Sequence, residues 1–305
     1  MTTHQSVLLA AALEALAVQA DGIYVDATYG RGGHARAILA RLGSRGRLVG
    51  LDRDPEAVES ARAIADPRFA IRHARFSQLG AVLRAAGIGA VNGVLFDLGV
   101  SAPQLERAAR GFSFRTDAPL DMRMDPTQGE SAAAWLARAS EDEIRGVIKN
   151  HGEERFARAV AAAIVAARAG GGIRTTGELA RVVAAAVRTR ERGQDPATRT
   201  FQAVRIHVNQ ELEELSLALP QALEALAIAG RLVVISFHSL EDRIVKRFLR
   251  DHAHPSLPER LPVKATEMPP ARLKLIGKPI RATVTEVSAN IRSRSAVMRV
   301  AEKLA

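Results

Sequence analysis

Along its first hundred residues the chain alternates short apolar runs with amphipathic stretches. Residues 8–18 space their apolar positions as a helix does. Gly22-Ile23-Tyr24-Val25-Asp26 is a short apolar run closed by an acid, the pattern of a buried strand. A Gly-rich turn follows, and a helix is predicted over residues 34–42. Residues 47–52 repeat the pattern, an apolar strand closed by Asp52. Asp54-Pro55 opens the next helix, with proline in the first turn, where its missing N–H costs nothing. Residues 69–72 predict a third strand, and residues 91–97 a fourth that ends on Asp97. Strands alternating with helices predict βαβ units and a parallel sheet.

The alternation stops near Gln104. Residues 104–125 are irregular and charged, and helical signals then fill residues 131–226. Ser140 with Glu143, and Thr175 with Glu178, have the spacing of capping boxes. Gly170-Gly171-Gly172 breaks one helix from the next. Sheet signals return at residues 231–236. Two further β-like runs, residues 282–287 and 296–301, flank Asn290 and predict a C-terminal hairpin. Residues 253–279 form a Pro-rich stretch with little periodicity. The expected organisation is an α/β sheet in two parts, residues 1–107 and 211–305, around an all-helical insert at residues 108–210. The insert is of domain size. A substrate-recognition domain and a dimerisation module both fit it, so a homodimer is one expectation.

Composition narrows the partners. Lys and Arg total 43 against 33 acids, a net charge of +10, and most of the basic residues are arginine. Arginine pairs with phosphate through a planar fork, so the balance points to nucleic acid or an anionic membrane surface. A GC-rich genome would also raise arginine and alanine. With no cysteine, disulfides, thiolate zinc sites and a cysteine nucleophile are excluded. No apolar run reaches the roughly 18 residues that a spanning helix needs. Glu14 and Asp21 interrupt the N-terminal apolar stretch, which has no basic n-region. The expectation is a soluble cytoplasmic protein.

The strongest local chemistry is Asp26-Ala27-Thr28-Tyr29-Gly30-Arg31-Gly32-Gly33-His34, which follows a strand and opens a helix. Glycines there let a ligand approach the backbone closely. Asp52 lies twenty residues beyond Gly32, at the end of the next strand, where a carboxylate can accept both ribose hydroxyls of a nucleoside. A plain tight turn with a helix cap is the structural alternative, but turn, context and spaced acid together favour a nucleotide. A dinucleotide site would show G-x-G-x-x-G. Here Gly30, Gly32 and Gly33 follow Asp26, an acid suited to a cationic ligand such as the ammonium of a methionine moiety. That favours S-adenosylmethionine over NAD.

At this point the chain resembles the bacterial 16S ribosomal RNA cytosine-N4 methyltransferases of the RsmH or MraW type. The matching motifs run nearly end to end. They include His4-Gln5-Ser6-Val7-Leu8, the loop from Asp26 to His34, Leu51-Asp52-Arg53-Asp54-Pro55, and Asp97-Leu98-Gly99-Val100-Ser101 with Pro103-Gln104-Leu105. Arg110-Gly111-Phe112-Ser113-Phe114, Pro119-Leu120-Asp121-Met122-Arg123-Met124 and Gly152-Glu153-Glu154-Arg155-Phe156 follow. The last are Pro196-Ala197-Thr198-Arg199-Thr200-Phe201-Gln202, the run from Ile235 to Arg243, and Arg294-Ser295-Ala296. The chain departs from the family at Ser6 (usually Pro), Ala102 (usually Ser), His151 (usually Tyr) and Ile291 (usually Pro). The resemblance implies a Rossmann-like S-adenosylmethionine-dependent methyltransferase sheet with an inserted all-helical domain. It implies the small ribosomal subunit as partner, no metal, and cofactor contacts from Gly32, Gly33, His34, Asp52, Phe76, Asp97 and Gln104. From the residues themselves, Phe76 fits an adenine platform or a core phenylalanine. Asp97 fits the ligand edge of an open sheet.

A cytosine amine is a weak nucleophile, so the chemistry calls for orientation and a proton acceptor. Asp97 is the catalytic candidate. Amine methyltransferases usually carry an aromatic at this strand end; here Asp97-Leu98-Gly99-Val100 has none, and Phe112 or Phe114 is the expected replacement. His238 fits a base or a helix-entry residue. Arg199, Arg205, Arg292 and Arg294 are candidates for phosphate contacts. The competing readings are an NAD-dependent oxidoreductase, a small-molecule methyltransferase, and a non-catalytic ribosome-assembly or RNA-binding factor.

Overall fold

The computed structural model describes residues 6–189, 195–255 and 269–305; His4, Gln5 and part of the Pro-rich stretch lie outside the described residues. The strands are β1 (Ile23–Asp26), β2 (Arg47–Asp52), β3 (Phe69–His73), β4 (Val91–Asp97), β5 (Leu226–Ser236), β6 (Leu273–Leu275), β7 (Ile280–Arg281) and β8 (Val297–Lys303). The helices are α1 (Leu9–Leu16), α2 (Gly33–Leu39), α3 (Pro55–Ala61), α4 (Leu79–Ala85), α5 (Ala102–Glu106), α6 (Ala132–Arg138) and α7 (Glu141–Gly152). They continue with α8 (Ala157–Arg168), α9 (Thr176–Ala186), α10 (Thr198–Asn209), α11 (Glu211–Ala225), α12 (Ser239–Ala253) and α13 (Val284–Ala289). The chain divides into two compact units, Met1–Gly99 with Leu212–Ala305, and Val100–Glu211.

The first unit holds the sheet, in the order β3-β2-β1-β4-β5-β8-β6, with β7 paired to β8. Strands β1 to β5 run parallel and β8 is antiparallel to β5. Side chains alternate between the two faces of a strand. Val25, Val49, Val94, Phe96 and Val234 therefore share one cluster with residues of α4, α11 and α12. Their neighbours Tyr24, Leu48, Leu95, Val233 and Ile235 share the other with α1 and α2. Both faces are covered, which is why the strands read as unbroken apolar runs. Asp54 caps α3, its carboxylate accepting the Glu56 N–H at 3.0 Å with Pro55 at the first helical position.

The tail differs from the sequence expectation of a simple hairpin. Residues 282–287 do not form a strand; most of that run belongs to α13, and only Ile280–Arg281 pairs with β8. The cause is Thr283, whose hydroxyl caps the helix by accepting the Glu286 N–H at 3.2 Å. A local cap outweighs the strand preference of the β-branched residues beside it.

The second unit has its own core, drawn from α6 to α10 and the segment before them. It begins at Val100, ahead of the expected boundary at 108, because Val100 and Leu105 pack against that core. Both expected capping boxes form, at Ser140–Glu143 and Thr175–Glu178. Gly111 takes φ +75°, and a Cβ there would fall 2.5 Å from Asp121 N. Buried Arg110 donates to the carbonyl of Met124 at 2.8 Å. Asn209 pins the same segment: it accepts the Met124 N–H at 2.8 Å and donates to the Met122 carbonyl at 2.7 Å.

Three sequence candidates are committed to this unit's interior. Phe112 is buried in its core and Phe114 packs edge-on against Phe201 at 4.6 Å, so neither stands as a free stacking platform. Arg205 forms a two-point ion pair with Glu211, at 2.8 and 3.0 Å. Arg199 is half-buried, and Arg294 is exposed in the short turn Ile291–Ser295. No helix among the described residues is long and apolar enough to cross a membrane.

Removing the Asn209 side chain orphans the Met124 N–H and the Met122 carbonyl inside the core. Asn209→Ala should destabilise the protein by about 2–4 kcal/mol, since each buried unsatisfied group costs roughly 1–3 kcal/mol. Urea unfolding that gave a wild-type midpoint would show that the segment is held by other means.

Candidate active site

Parallel strands point all their C-terminal ends to one edge of the sheet. At β1 the strand order reverses, β2 and β3 lying to one side and β4 and β5 to the other. Ligand crevices of open α/β sheets form at such a point. Asp26 is level with Gly50 and Leu95, so Asp52 and Asp97 stand two residues further along on either side of it. Three carboxyl groups thus end three adjacent strands.

The loop after β1 is tied down by side chains on both sides. Thr28 Oγ1 accepts the Asp97 N–H at 2.6 Å, and the Thr28 N–H donates to Asp26 Oδ1 at 3.2 Å. Asp52 accepts the Gly30 N–H at 2.7 Å on one oxygen and the Asp54 N–H at 2.8 Å on the other. Each oxygen keeps a second lone pair, so ribose hydroxyls can still be accepted. Gly32 takes φ +69°, and a Cβ there would fall 2.4 Å from Tyr29 Oη. A Cβ on Gly33 would fall 1.9 Å from Ser6 Oγ. Neither position has room for a side chain.

His34 and Asp97 face each other, Nδ1 to Oδ2, at 3.6 Å. The His34 ring is buried, which lowers its pKa to about 4 and leaves it neutral. Its Nε2 lies 3.2 Å from the Val7 carbonyl. That contact places the ring proton on Nε2 and leaves Nδ1 as an acceptor.

The carboxyl groups are held well away from their ordinary state. Burial raises Asp26 to about 7, with the Asp52 charge adding to the effect. Burial raises Asp52 to about 6. Asp97 is raised well above the usual carboxylate range, by burial and then by Asp26 and Glu241. Asp26 Oδ2 and Asp97 Oδ1 are buried without a hydrogen-bond partner in good geometry. Unpartnered buried carboxylates are costly, and a positively charged ligand relieves them. The cation and the two ribose hydroxyls of S-adenosylmethionine match this donor and acceptor set. Asp97 keeps 22% side-chain exposure, so it is mostly dry yet reachable.

Of the residues expected from sequence, Gly32, Gly33, His34, Asp52 and Asp97 gather at this edge. Phe76 opens the turn after β3, partly buried, and meets Phe96 edge-on at 5.9 Å. Gln104 belongs to the other unit, where it is buried in α5 and accepts the Ser101 N–H at 2.9 Å. His238 is the helix-entry residue of α12, paired with Glu241 in a capping box. Two residues were missed. Thr28 lies in plain view between the acid and the first glycine of the loop. Glu241 carried only the signal of a helix start, yet its buried carboxylate accepts the Phe237 N–H at 2.8 Å and acts on Asp97.

A largely parallel sheet with this strand order, a glycine loop and three acids ending adjacent strands is the arrangement of a Rossmann-like S-adenosylmethionine-dependent methyltransferase. The sequence profile of the MraW methylase family matches residues 1–304, and the chain belongs to that family. It is 63% identical over 301 residues to the ribosomal RNA small subunit methyltransferase H of Azoarcus sp. (strain BH72), covering 98% of this chain and 96% of that protein. The protein of the same name from Dechloromonas aromatica (strain RCB) is 59% identical, over 99% of both chains. Among solved structures, an rRNA methylase from Streptococcus thermophilus aligns over 99% of each chain, at 11% identity and a TM-score of 0.44.

Two outcomes follow from this geometry. Asp52→Ala should weaken S-adenosylmethionine binding by about tenfold or more, because a lost hydrogen bond to a charged group costs roughly 1.5–3 kcal/mol. Unchanged affinity in a folded variant would remove Asp52 from the ribose site. The second concerns pH. The folded values of Asp26 and Asp52, about 7 and about 6, lie above their ordinary range. Their contribution to stability is therefore full below about pH 4 and lost as pH rises through 6 to 7. A cationic ligand favours the ionised forms, so binding should release protons and tighten as pH rises across that window. Calorimetry near pH 6.5 in two buffers of different ionisation heat should detect the release; a heat independent of buffer would contradict it.

Proposed function

We propose that the chain methylates the exocyclic N4 amine of a cytidine in 16S ribosomal RNA, with S-adenosylmethionine as methyl donor. Asp97 is the observation that carries the chemistry: a carboxyl at the sheet's ligand edge, with one oxygen unpartnered and a raised proton affinity. The names of the relatives, ribosomal RNA small subunit methyltransferases, support the choice of polymer, as does the net charge of +10. Gly32, Gly33, His34, Asp52, Phe76 and Asp97 hold the cofactor in this reading, with Gln104 contributed by the insert. Val100–Glu211 recognises the RNA. The substrate places the enzyme in the cytoplasm with the assembling ribosome.

The cofactor brings a methyl group already activated on a sulfonium. The Asp97 carboxylate accepts one amine hydrogen and turns the nitrogen lone pair toward that methyl, an orientation worth roughly 7–11 kcal/mol in favourable cases. Glu241 and Asp26 raise the proton affinity of Asp97 and so make it a better acceptor of the amine proton. His34, neutral and fixed by Val7, offers Nδ1 to the protonated carboxyl across 3.6 Å. The target base is reached only when unpaired or flipped from its stack.

The test is single-turnover transfer of labelled methyl to small subunits from a methylation-deficient strain, followed by nucleoside analysis. Wild type should yield N4-methylated cytidine. Asp97→Asn, which keeps shape and removes charge, should lower the rate by about 10²-fold or more at saturating cofactor. Label on another nucleoside would overturn the substrate assignment, and a wild-type rate in Asp97→Asn would leave that residue a cofactor contact alone.

A further inference from the structure

The second unit carries a basic groove that its own fold does not use. The groove, of about 580 Å³, runs along the C-terminal half of α7 and the first turn of α8 and is lined by Arg145, Lys149, Arg155 and Arg158. All four are exposed. Arg145 makes one exposed ion pair, 3.0 Å from Asp142. Lys149, Arg155 and Arg158 have no ion-pair partner among the described residues.

Two further observations point to a ligand. Within Gly152-Glu153-Glu154-Arg155-Phe156 the fold accounts for Gly152, where a Cβ would fall 2.6 Å from the Arg199 carbonyl. It accounts for Glu154, which accepts the Phe156 N–H at 2.8 Å, and for Phe156, which packs on the core. Glu153 and Arg155 are both exposed, and Arg155 is the cation of the two. Gly146, also on the groove wall, sits inside α7, and a Cβ there would meet nothing within 4 Å. A mid-helix glycine weakens a helix, and nothing inside the protein requires this one. Its effect is a bare strip of helix beside a row of cations. The first turn of α8, which lines the groove, has no side-chain cap on its N–H groups.

We infer that this groove holds the phosphodiester backbone of structured RNA, with Gly146 letting the strand lie against α7. The inference rests on the rRNA-methyltransferase reading above and adds a docking surface to it. Cations spaced along an open groove suit a repeating polyanion: each phosphate contact is weak, and together they fix register without reading sequence.

The test measures binding of unmethylated small ribosomal subunits to the full chain as salt is varied. The triple variant Lys149→Gln/Arg155→Gln/Arg158→Gln should bind about tenfold or more weakly, and its plot of log affinity against log salt should be shallower by about 2–3. S-adenosylmethionine affinity should stay at the wild-type value. Gly146→Ala should raise the melting midpoint by about 2 °C while weakening subunit binding. Wild-type affinity and slope in the triple variant, with wild type still methylating subunits, would overturn the groove alone. Failure of wild type to bind or methylate subunits would overturn both readings. Competition by polyglutamate as strong as by RNA would assign the groove to an acidic protein and also overturn it.

Discussion

Three carboxyl groups end three neighbouring parallel strands, and burying them there is the constraint around which the sheet unit is arranged. Strand polarity makes the convergence unavoidable: once β1, β2 and β4 run side by side, Asp26, Asp52 and Asp97 must share one edge. Backbone N–H groups from Thr28, Gly30 and Asp54 satisfy part of the demand. The remainder is two buried oxygens without partners, and burial raises the proton affinity of both carboxyl groups. The free site is therefore biased toward a cationic ligand.

The inserted unit spends its polar residues differently. Arg110 bonds the Arg123 backbone, Arg123 pairs with Asp121, and Asn209 holds the Met122 carbonyl, so together they shape the segment around Met122, which itself takes φ +63°. Motifs that carry the family resemblance thus serve as part of the frame of a small helical domain. What the frame leaves over includes exposed positive charge at Arg145, Lys149, Arg155 and Arg158.

Much of the sheet was legible because strands buried on both faces read as apolar runs, and three of them ended in an acid that marked one edge. Asp54-Pro55 and the two capping boxes gave helix starts for a local reason, a side chain meeting its own helix's N–H groups. The tail misled because Thr283 supplies the same kind of signal amid residues that favour strands. Arg205 misled because a charge on a helix face looks free until its partner, six residues away across a turn, is seen. Glu241 was hidden for the opposite reason: a capping carboxylate has an obvious local role, and its field on Asp97 appears only when β4 and the start of α12 are brought together in space.

The whole of Val100–Glu211 lies between β4 and β5, yet β4 and β5 are hydrogen-bonded neighbours, with Asp97 level with Ile235. Pairing them requires closing a loop of more than a hundred residues, and the entropic cost of closure grows with the length of flexible chain. A helical segment with its own core can condense first and shorten that loop. Order of assembly is thereby built into the topology: local helices first, then the strand that completes the ligand edge. Mutations that loosen the insert would be felt first as slow folding of the sheet, and the cofactor crevice would be the last part of the molecule to form.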